Sequence, residues 1–354
     1  MTLLPATRSP ETAEARSPNV ADPSPLDGVD VVLADLDGVV YRGDDAIPFA
    51  VDALNRASEQ ARVGYITNNA SRTAASVASH LTSLGLSAAA DDVVTSPQAA
   101  VRLLAQLVPA RSLILVVGGE GLSSEVTKAG FSVTESALDS PAAVIQGFAP
   151  TVGWTQLAEA SFALHTGIPW VATNTDWTIP VGRGIAPGNG TLVSAVHSAV
   201  GRLPVVAGKP EVAIFEEAVA RFGATKALFL GDRLDTDILG ANRAGIDSAL
   251  VLTGVDGAKQ VLAADAKSRP TFILDDLRQL HEPYPSTIET RDAATGDRVF
   301  RVGAAEVALS GNAVKVRVAG DRRIDLLRAG AAAIWGSGIA IYGLDVPSSL
   351  YTEG

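Results

Sequence analysis

Between Val29 and Gly85 the chain twice sets a short apolar run before an amphipathic stretch: VDVVLADLD then FAVDALNRASEQ, VGYITNNA then TAASVASHLTSLG. Strands that alternate with helices cannot join as tight hairpins, and the crossovers they require between parallel strands are right-handed. The order predicts βαβ units around a Rossmann-like, doubly wound parallel sheet, an α/β fold. Ligands of such sheets sit beyond the carboxyl ends of the strands, which is where Asp35, Asp37, Thr67 and Asn68 fall. VVAGKP and ALFLGDR repeat the pattern, each an apolar run that ends in Gly and then charge. Four strand ends are therefore expected to carry polar groups.

A chain of 354 residues exceeds one ordinary domain. The block 109–203 has strand-like runs of its own (SLILVVGG, AAVIQGF, PWVATN) and reads as an inserted α/β domain that interrupts a core formed by 28–108 and 204–284. Residues 285–354 change character and read as a small α+β extension. EVALSGNAVKVRV suggests a hairpin around a Ser-Gly-Asn turn, Asp321 a cap for a helix through Ile324, Leu327, Ala331 and Trp335, and IAIYGLDV one more strand. Residues 1–27 hold five prolines, Glu11 and Glu14 but no apolar segment, so they are expected to be a disordered tail and not a secretory signal.

A net charge of −11 without a basic patch argues against a nucleic-acid partner. No run approaches the roughly 20 apolar residues that cross a bilayer. Zero cysteines exclude disulfides, thiolate metal sites and cysteine nucleophiles, which fits a cytoplasmic protein.

Asp35-Leu36-Asp37-Gly38 alone reads as a surface turn or as the start of a calcium loop. The calcium reading fails, because the twelfth position is Ala46 and an apolar strand, not a helix, comes first. Two acids at a buried strand end repel each other and resist desolvation, so a positive partner is expected. GDRLDTD offers Asp232, Asp235 and Asp237; alone it is a solvated loop before a helix, but Asp232 is placed to share a hard cation such as Mg²⁺ with Asp35. Lys209 in Gly-Lys-Pro is ordinarily a solvated side chain, yet beside acids and a phosphate it becomes a point charge. TNNASR sets Thr67, Asn68, Asn69 and Arg72 at the beginning of a helix, a ready anion site or an ordinary N-cap. Each string alone is weak. Together, each closing an apolar run, they are not independent accidents.

In this order DLDGV, TNN, GKP and GDRLDTD resemble the four motifs of the haloacid dehalogenase superfamily, phosphatase branch, over about residues 28–284. The long interval between Thr67 and Lys209 resembles subclass IIA members, whose C2-type cap is inserted there. TNTDWTIP and RGIAPGNGTL are similar to cap segments of the subgroup with 4-nitrophenylphosphatase, phosphoglycolate, pyridoxal-phosphate and glycerol-3-phosphate phosphatases. Departures at Ile47-Pro48-Phe49-Ala50, where the family often has Ile-Pro-Gly-Ala, and at Gly147-Phe148-Ala149 bear on cap packing or substrate choice.

The resemblance implies a Mg²⁺-dependent phosphomonoesterase for a small phosphorylated metabolite, glycerol 3-phosphate or phosphoglycolate ahead of pyridoxal phosphate or a nucleotide. Asp35 would be the nucleophile and Asp37 the general acid and base. Metal would sit on Asp35, the Asp37 carbonyl and Asp232, with Asp237 behind them, and Thr67, Asn68 and Lys209 on the phosphoryl oxygens. Asn69, Arg72, Asn174, Asp176, Gly188 and Asn189 are candidates for the rest of the substrate. Other readings are a non-catalytic phosphate-ligand sensor and a bifunctional protein with an acyltransferase-like C-terminal module. Self-association through the cap or that module is a further expectation.

Overall fold

A computed structural model describes residues 22–181 and 183–352. Its core is a six-stranded, all-parallel sheet in the order Phe272–Leu274, Asp247–Val251, Ala227–Gly231, Val31–Ala34, Arg62–Thr67, Val93–Thr95. Counted along the chain this is the 3-2-1-4-5-6 order of a doubly wound fold, whose direction reverses between Val31–Ala34 and Ala227–Gly231. Both of these strands are buried on both faces, which explains why VVLA and ALFLG are continuous apolar runs and not alternating ones. Helices Ala50–Ala57 and Ala74–Ser83 cover one face; Ser96–Leu107 and Val212–Phe222 cover the other.

The inserted domain is a second parallel sheet, ordered Val205–Val206, Trp170–Ala172, Ala143–Gln146, Leu113–Val117, Ser132–Thr134. One of its faces joins the same hydrophobic cluster as the core: Ile114, Val116, Ile145 and Val171 pack together with Leu104, Phe215 and Phe229. Val205–Val206 pairs with Val171 and Ala172, so the insertion runs past residue 203 and VVAGKP does not close a core strand as expected. Three of the four polar strand ends belong to the core sheet, and Lys209 reaches it from the edge of the cap sheet.

Residues 285–352 form a four-stranded antiparallel meander, Ile288–Arg291, Arg298–Val302, Ala305–Ser310 and Ala313–Val318, followed by helix Arg323–Gly336. The expected hairpin is its second half. IAIYGLDV is not the expected strand but a 3-10 turn at Ile341–Gly343, which meets the sheet through an Ala313–Asp345 bridge and bonds to Asn312. Arg322, not Asp321, precedes the helix. That helix is buried on nearly every side because it lies between the meander and the core. Ile324, Leu327 and Ile334 share one apolar cluster with Leu250, Val261 and Ile273 of the core, with Leu234 of GDRLDTD and with Ile238, which follows it.

Within that interface the Arg328 guanidinium donates to the Ile273 carbonyl (3.0 and 2.7 Å), to Gln279 Oε1 (3.0 Å) and to Asp325 Oδ1 (2.9 Å), and lies 4.0 Å from the Tyr284 ring centroid. Ordered structure also begins earlier than the expected tail allows. Leu26 is buried, and Tyr284 N–H donates to the Pro23 carbonyl (3.0 Å). Residues 1–21 of that tail lie outside the described residues.

Phe49 stands where the family often has glycine, at φ 68°, left-handed backbone that costs an L-residue about 1–2 kcal/mol. The Arg278 guanidinium stacks 3.8 Å from its ring centroid and offsets part of that cost. Two outcomes in chemical denaturation follow. Arg328→Met, which strands Asp325, is expected to lose about 3–5 kcal/mol, and most of it should return when Asp325→Leu is added. Phe49→Gly should be more stable than Phe49→Ala by about 1 kcal/mol, since alanine keeps the strain and loses the stacking.

Candidate active site

The first core strand continues its ladder one residue beyond its end, Asp35 N–H donating to the Leu230 carbonyl (2.8 Å), so the backbone of Asp35 is fixed. The chain then turns sharply: Val40 and Tyr41 N–H both donate to the Leu36 carbonyl (2.8 and 3.1 Å), and Gly38 N–H donates to the Tyr41 carbonyl (2.9 Å). Gly38 has φ 85°, and a Cβ there would stand 2.3 Å from Asp232 Oδ2. Only glycine fits. On the neighbouring strand end, a π-helical turn at Leu234–Ile238 folds Asp237 back so that its Oδ2 accepts from Asp232 N–H and Arg233 N–H (3.1 Å each).

These two strand ends flank the reversal point of the sheet, and Lys209 enters between them. Its Nζ lies 2.7 Å from Asp35 Oδ1 and 2.7 Å from Asp237 Oδ1, with the lysine and Asp237 fully enclosed. One carboxylate oxygen from each of Asp35, Asp232 and Asp237 falls within 4.8 Å of the others. Three acids against one ammonium leave an excess of negative charge. Burial first, then the charges of Asp237 and Asp232, push the Asp35 carboxyl well above the usual range against the pull of Lys209. Burial and Asp237 push Asp232 up to about 7. Burial works against the Lys209 charge, but Asp237 and Asp35 outweigh it and hold the ammonium above the ordinary lysine range.

A hard divalent cation fits this set. Asp232 Oδ2 accepts from Val255 N–H (2.7 Å), while its Oδ1 is buried with no hydrogen-bond partner, an uncompensated acceptor in an acidic cluster. Asp35 and Asp232 would hold the ion, with the Asp37 carbonyl as a further oxygen; both Asp237 oxygens are already engaged. Asp37 itself lies at the solvent rim with protein on its other sides, and burial raises its carboxyl while Lys209, Arg72 and His80 oppose the rise.

Thr67 is buried at the end of its strand, its Oγ1 accepting from Asn69 N–H (3.1 Å). TNNASR does not begin the helix as expected. It forms a loop in which Asn69 Oδ1 accepts from Ser71 N–H and Oγ (2.9 and 2.7 Å), and Thr73 caps the helix. Arg72 is exposed near Asp37.

The cap residues expected at the substrate are mostly committed elsewhere. Asn174 Nδ2 donates to the Asn68 carbonyl (2.7 Å), and Asn189 Nδ2 donates to the Asn174 carbonyl (2.7 Å), both side chains buried in the joint. Gly188 is placed by sterics, a Cβ there falling 2.3 Å from the Asp176 carbonyl. Asp176 accepts from Asn68 Nδ2. Sequence reasoning missed the loop after strand Asp247–Val251: Val255 holds Asp232, and Asp256 Oδ2 accepts from Leu234 N–H (2.7 Å). Only the glycines of TGVDG hinted at it.

A parallel sheet with clustered acids at its reversal point, a buried lysine and an inserted cap fits a phosphoryl-transfer hydrolase, and the chain belongs to the haloacid dehalogenase-like hydrolase family. The family model of that name matches residues 32–132, and a second HAD-hydrolase-like model matches 206–280. The D-glycerol 3-phosphate phosphatase of Mycobacterium tuberculosis is 43% identical over 306 residues, 86% of each chain. The crystal structure of the glycerol phosphate phosphatase from that organism in complex with magnesium superposes with a TM-score of 0.81 at 41% identity, covering 92% of this chain and 95% of that one. An acid sugar phosphatase of Staphylococcus saprophyticus is 32% identical over 252 residues, 70% of this chain and 95% of that protein.

Because folding raises the Asp232 pKa, its ionised form opposes folding. In the metal-free protein this opposition grows as pH rises from the unfolded carboxylate value near 3.8 to about 7. Asp232→Asn should therefore raise the melting temperature of the metal-free protein at pH 8, by about 2–4 °C per kcal/mol relieved. Mg²⁺ should raise the melting temperature of the unaltered protein, and the same variant should abolish that rise. Differential scanning fluorimetry with and without Mg²⁺ reads both.

Proposed function

We propose that this protein is a Mg²⁺-dependent phosphomonoesterase that hydrolyses a small phosphorylated metabolite through an aspartyl-phosphate on Asp35, with glycerol 3-phosphate as its leading substrate. The observation that carries the reading is the Asp35 carboxylate, fixed 2.7 Å from Lys209 Nζ inside a cluster of acids that needs a cation. Bound there, the ion would neutralise the cluster and let a phosphate dianion approach a carboxylate.

Asp35 attacks phosphorus in line; its O–P bond forms as the ester O–P bond breaks. Asp37 gives its proton to the departing alkoxide and then takes one from the water that cleaves the acyl phosphate, returning Asp35 and releasing inorganic phosphate. Lys209, the Thr67 hydroxyl and the Asn68 main-chain amide hold the phosphoryl oxygens as charge shifts onto them. Asp237 keeps Lys209 in place. Arg72, exposed beside Asp37, is left to meet the remainder of the substrate.

The substrate order is supported by the 43% identical relative, named for D-glycerol 3-phosphate, whose likeness extends over 86% of both chains. Phosphoglycolate, pyridoxal phosphate and nucleotides rank behind it. The complete set of acids favours turnover over a sensor. Helix Arg323–Gly336, enclosed on nearly every side, favours a structural role for the C-terminal module over an acyltransferase. A cytoplasmic location and self-association belong to the same proposal. No helix among the described residues is long and apolar enough to cross a membrane, and exposed Leu138 and Trp154 on the cap suit a protein contact.

Phosphate release across a panel of phosphomonoesters, with and without Mg²⁺, tests the proposal. Glycerol 3-phosphate should be turned over only with the ion, and a panel giving no Mg²⁺-dependent release would overturn it. Asp35→Asn should lower kcat by at least about 10³-fold in a folded protein. Asp37→Asn should still release about one equivalent of p-nitrophenol from p-nitrophenyl phosphate, whose leaving group needs no acid, and then stall as a phosphoenzyme visible by intact-mass spectrometry.

A further inference from the structure

Lys209 carries its charge to the site, but its strand, Val205–Val206, has already ended and lies in the cap sheet. The cap ladder runs on only to Gly208, whose N–H donates to the Thr173 carbonyl (2.7 Å), and the main-chain N–H and carbonyl of Lys209 itself meet the side chain of Asn68, from the other side of the site. Lys209 N–H donates to Asn68 Oδ1 (2.8 Å), and Asn68 Nδ2 donates to the Lys209 carbonyl (3.1 Å), a reciprocal pair of the kind that joins two strands. The same Nδ2 donates to both oxygens of Asp176 in the cap (3.1 and 3.3 Å). The Asn68 carbonyl accepts from Asn174 Nδ2 (2.7 Å) and Ser96 Oγ (2.7 Å), while Asn174 Oδ1 accepts from Asp176 N–H (3.2 Å).

Every polar atom of the Asn68 side chain is therefore used, and each of its bonds ends on Lys209 or on the cap. Gly208 makes the contact possible. A Cβ at that position would lie 2.6 Å from Asn68 Oδ1 and 2.6 Å from the Thr173 carbonyl, so the glycine before the lysine is needed for the approach of Asn68 and not for freedom of the chain.

We infer that Asn68 is a positioning residue that locks Lys209 to the cap segment Asn174–Asp176, so that the seating of the cap and the placing of the phosphate-holding charge are a single event. The inference rests on the reading of Lys209 as the cation of the phosphoryl site. It also reassigns Asn68 and Asp176, which the sequence suggests as substrate contacts, to the joint that prepares the site.

The test uses the full chain with Mg²⁺ and two substrates, p-nitrophenyl phosphate and glycerol 3-phosphate, with kcat, KM, inhibition by inorganic phosphate and melting temperature measured for each variant. Asn68→Ala should lower kcat about 10–100-fold on both substrates, as a displacement of about 1 Å at a reacting centre does, and weaken inhibition by phosphate. A purely structural role would lower the melting temperature while leaving kcat of the folded protein intact. Asn68→Asp puts a carboxylate against Asp176 and should lose at least as much.

Folded Asn68→Ala with kcat within about two-fold of the unaltered protein overturns the inference, as does a folded Asn68→Asp that retains kcat. Should these variants fail to fold, Gly208→Ala, which keeps every functional side chain, decides: unchanged kcat and phosphate inhibition in that protein overturn the inference. An unaltered protein inactive on p-nitrophenyl phosphate would instead remove the phosphatase reading itself.

Discussion

A single enclosed ammonium between two enclosed carboxylates organises this molecule. Lys209 is tolerable in the interior only because Asp35 and Asp237 each stand 2.7 Å away, and those acids are tolerable there only because of the lysine. The arithmetic is incomplete, since Asp232 adds a charge with no protein counterpart and keeps one oxygen unpaired. The protein has accepted an electrostatic deficit at one point, and the surrounding structure exists largely to hold that deficit in place: the locked turn after Asp35, the π-helical turn that folds Asp237 back on its own loop, and the clasp from Val255 and Asp256. The deficit is what makes the site receptive to a cation and, through it, to a phosphate.

The core sheet and the acids at its edge were legible in the sequence for a physical reason. Parallel strands buried on both faces must be apolar runs, so a run such as VDVVLA that stops at Asp35 announces both a strand and its carboxyl end. The same rule misled at VVAGKP. Two valines that pair with Trp170–Ala172 look in one dimension like two that pair with Val31–Ala34, and nothing local tells which sheet receives them. The cap residues were harder still. Asn174 and Asn189 are polar residues beside a Pro-Gly-rich segment, as a binding loop would have, yet their amides are used on main-chain carbonyls within the joint. Composition reports that a segment can hydrogen-bond; it does not report to what.

The C-terminal module shows the opposite limit. Its strand Ile288–Arg291 is exposed throughout and carries no apolar pattern, so it was invisible in the sequence, while IAIYGLDV has the right composition for a strand and forms a turn. The expected helix through Ile324, Leu327, Ala331 and Trp335 also carries Arg328 and Asp325. They are buried because that helix has two partners, one on each side, and the module shares its apolar cluster with the loop that holds Asp232 and Asp237. The extension is joined to the Asp232–Asp237 loop by packing, which a reading from charge and periodicity along a single helix does not anticipate.

The two parallel sheets meet end to end: Asn68, Ala70 and Arg72 follow a core strand, Thr173 and Asn174 follow a cap strand, and the segments touch. The carboxyl ends of strands Arg62–Thr67 and Trp170–Ala172 thus meet at the joint. Main chain closes it from both sides: a Cβ at Gly121 would stand 3.3 Å from the Ala70 and Arg72 carbonyls, and one at Gly208 2.6 Å from the Thr173 carbonyl. A single methyl group added at either glycine would act as a wedge between the domains.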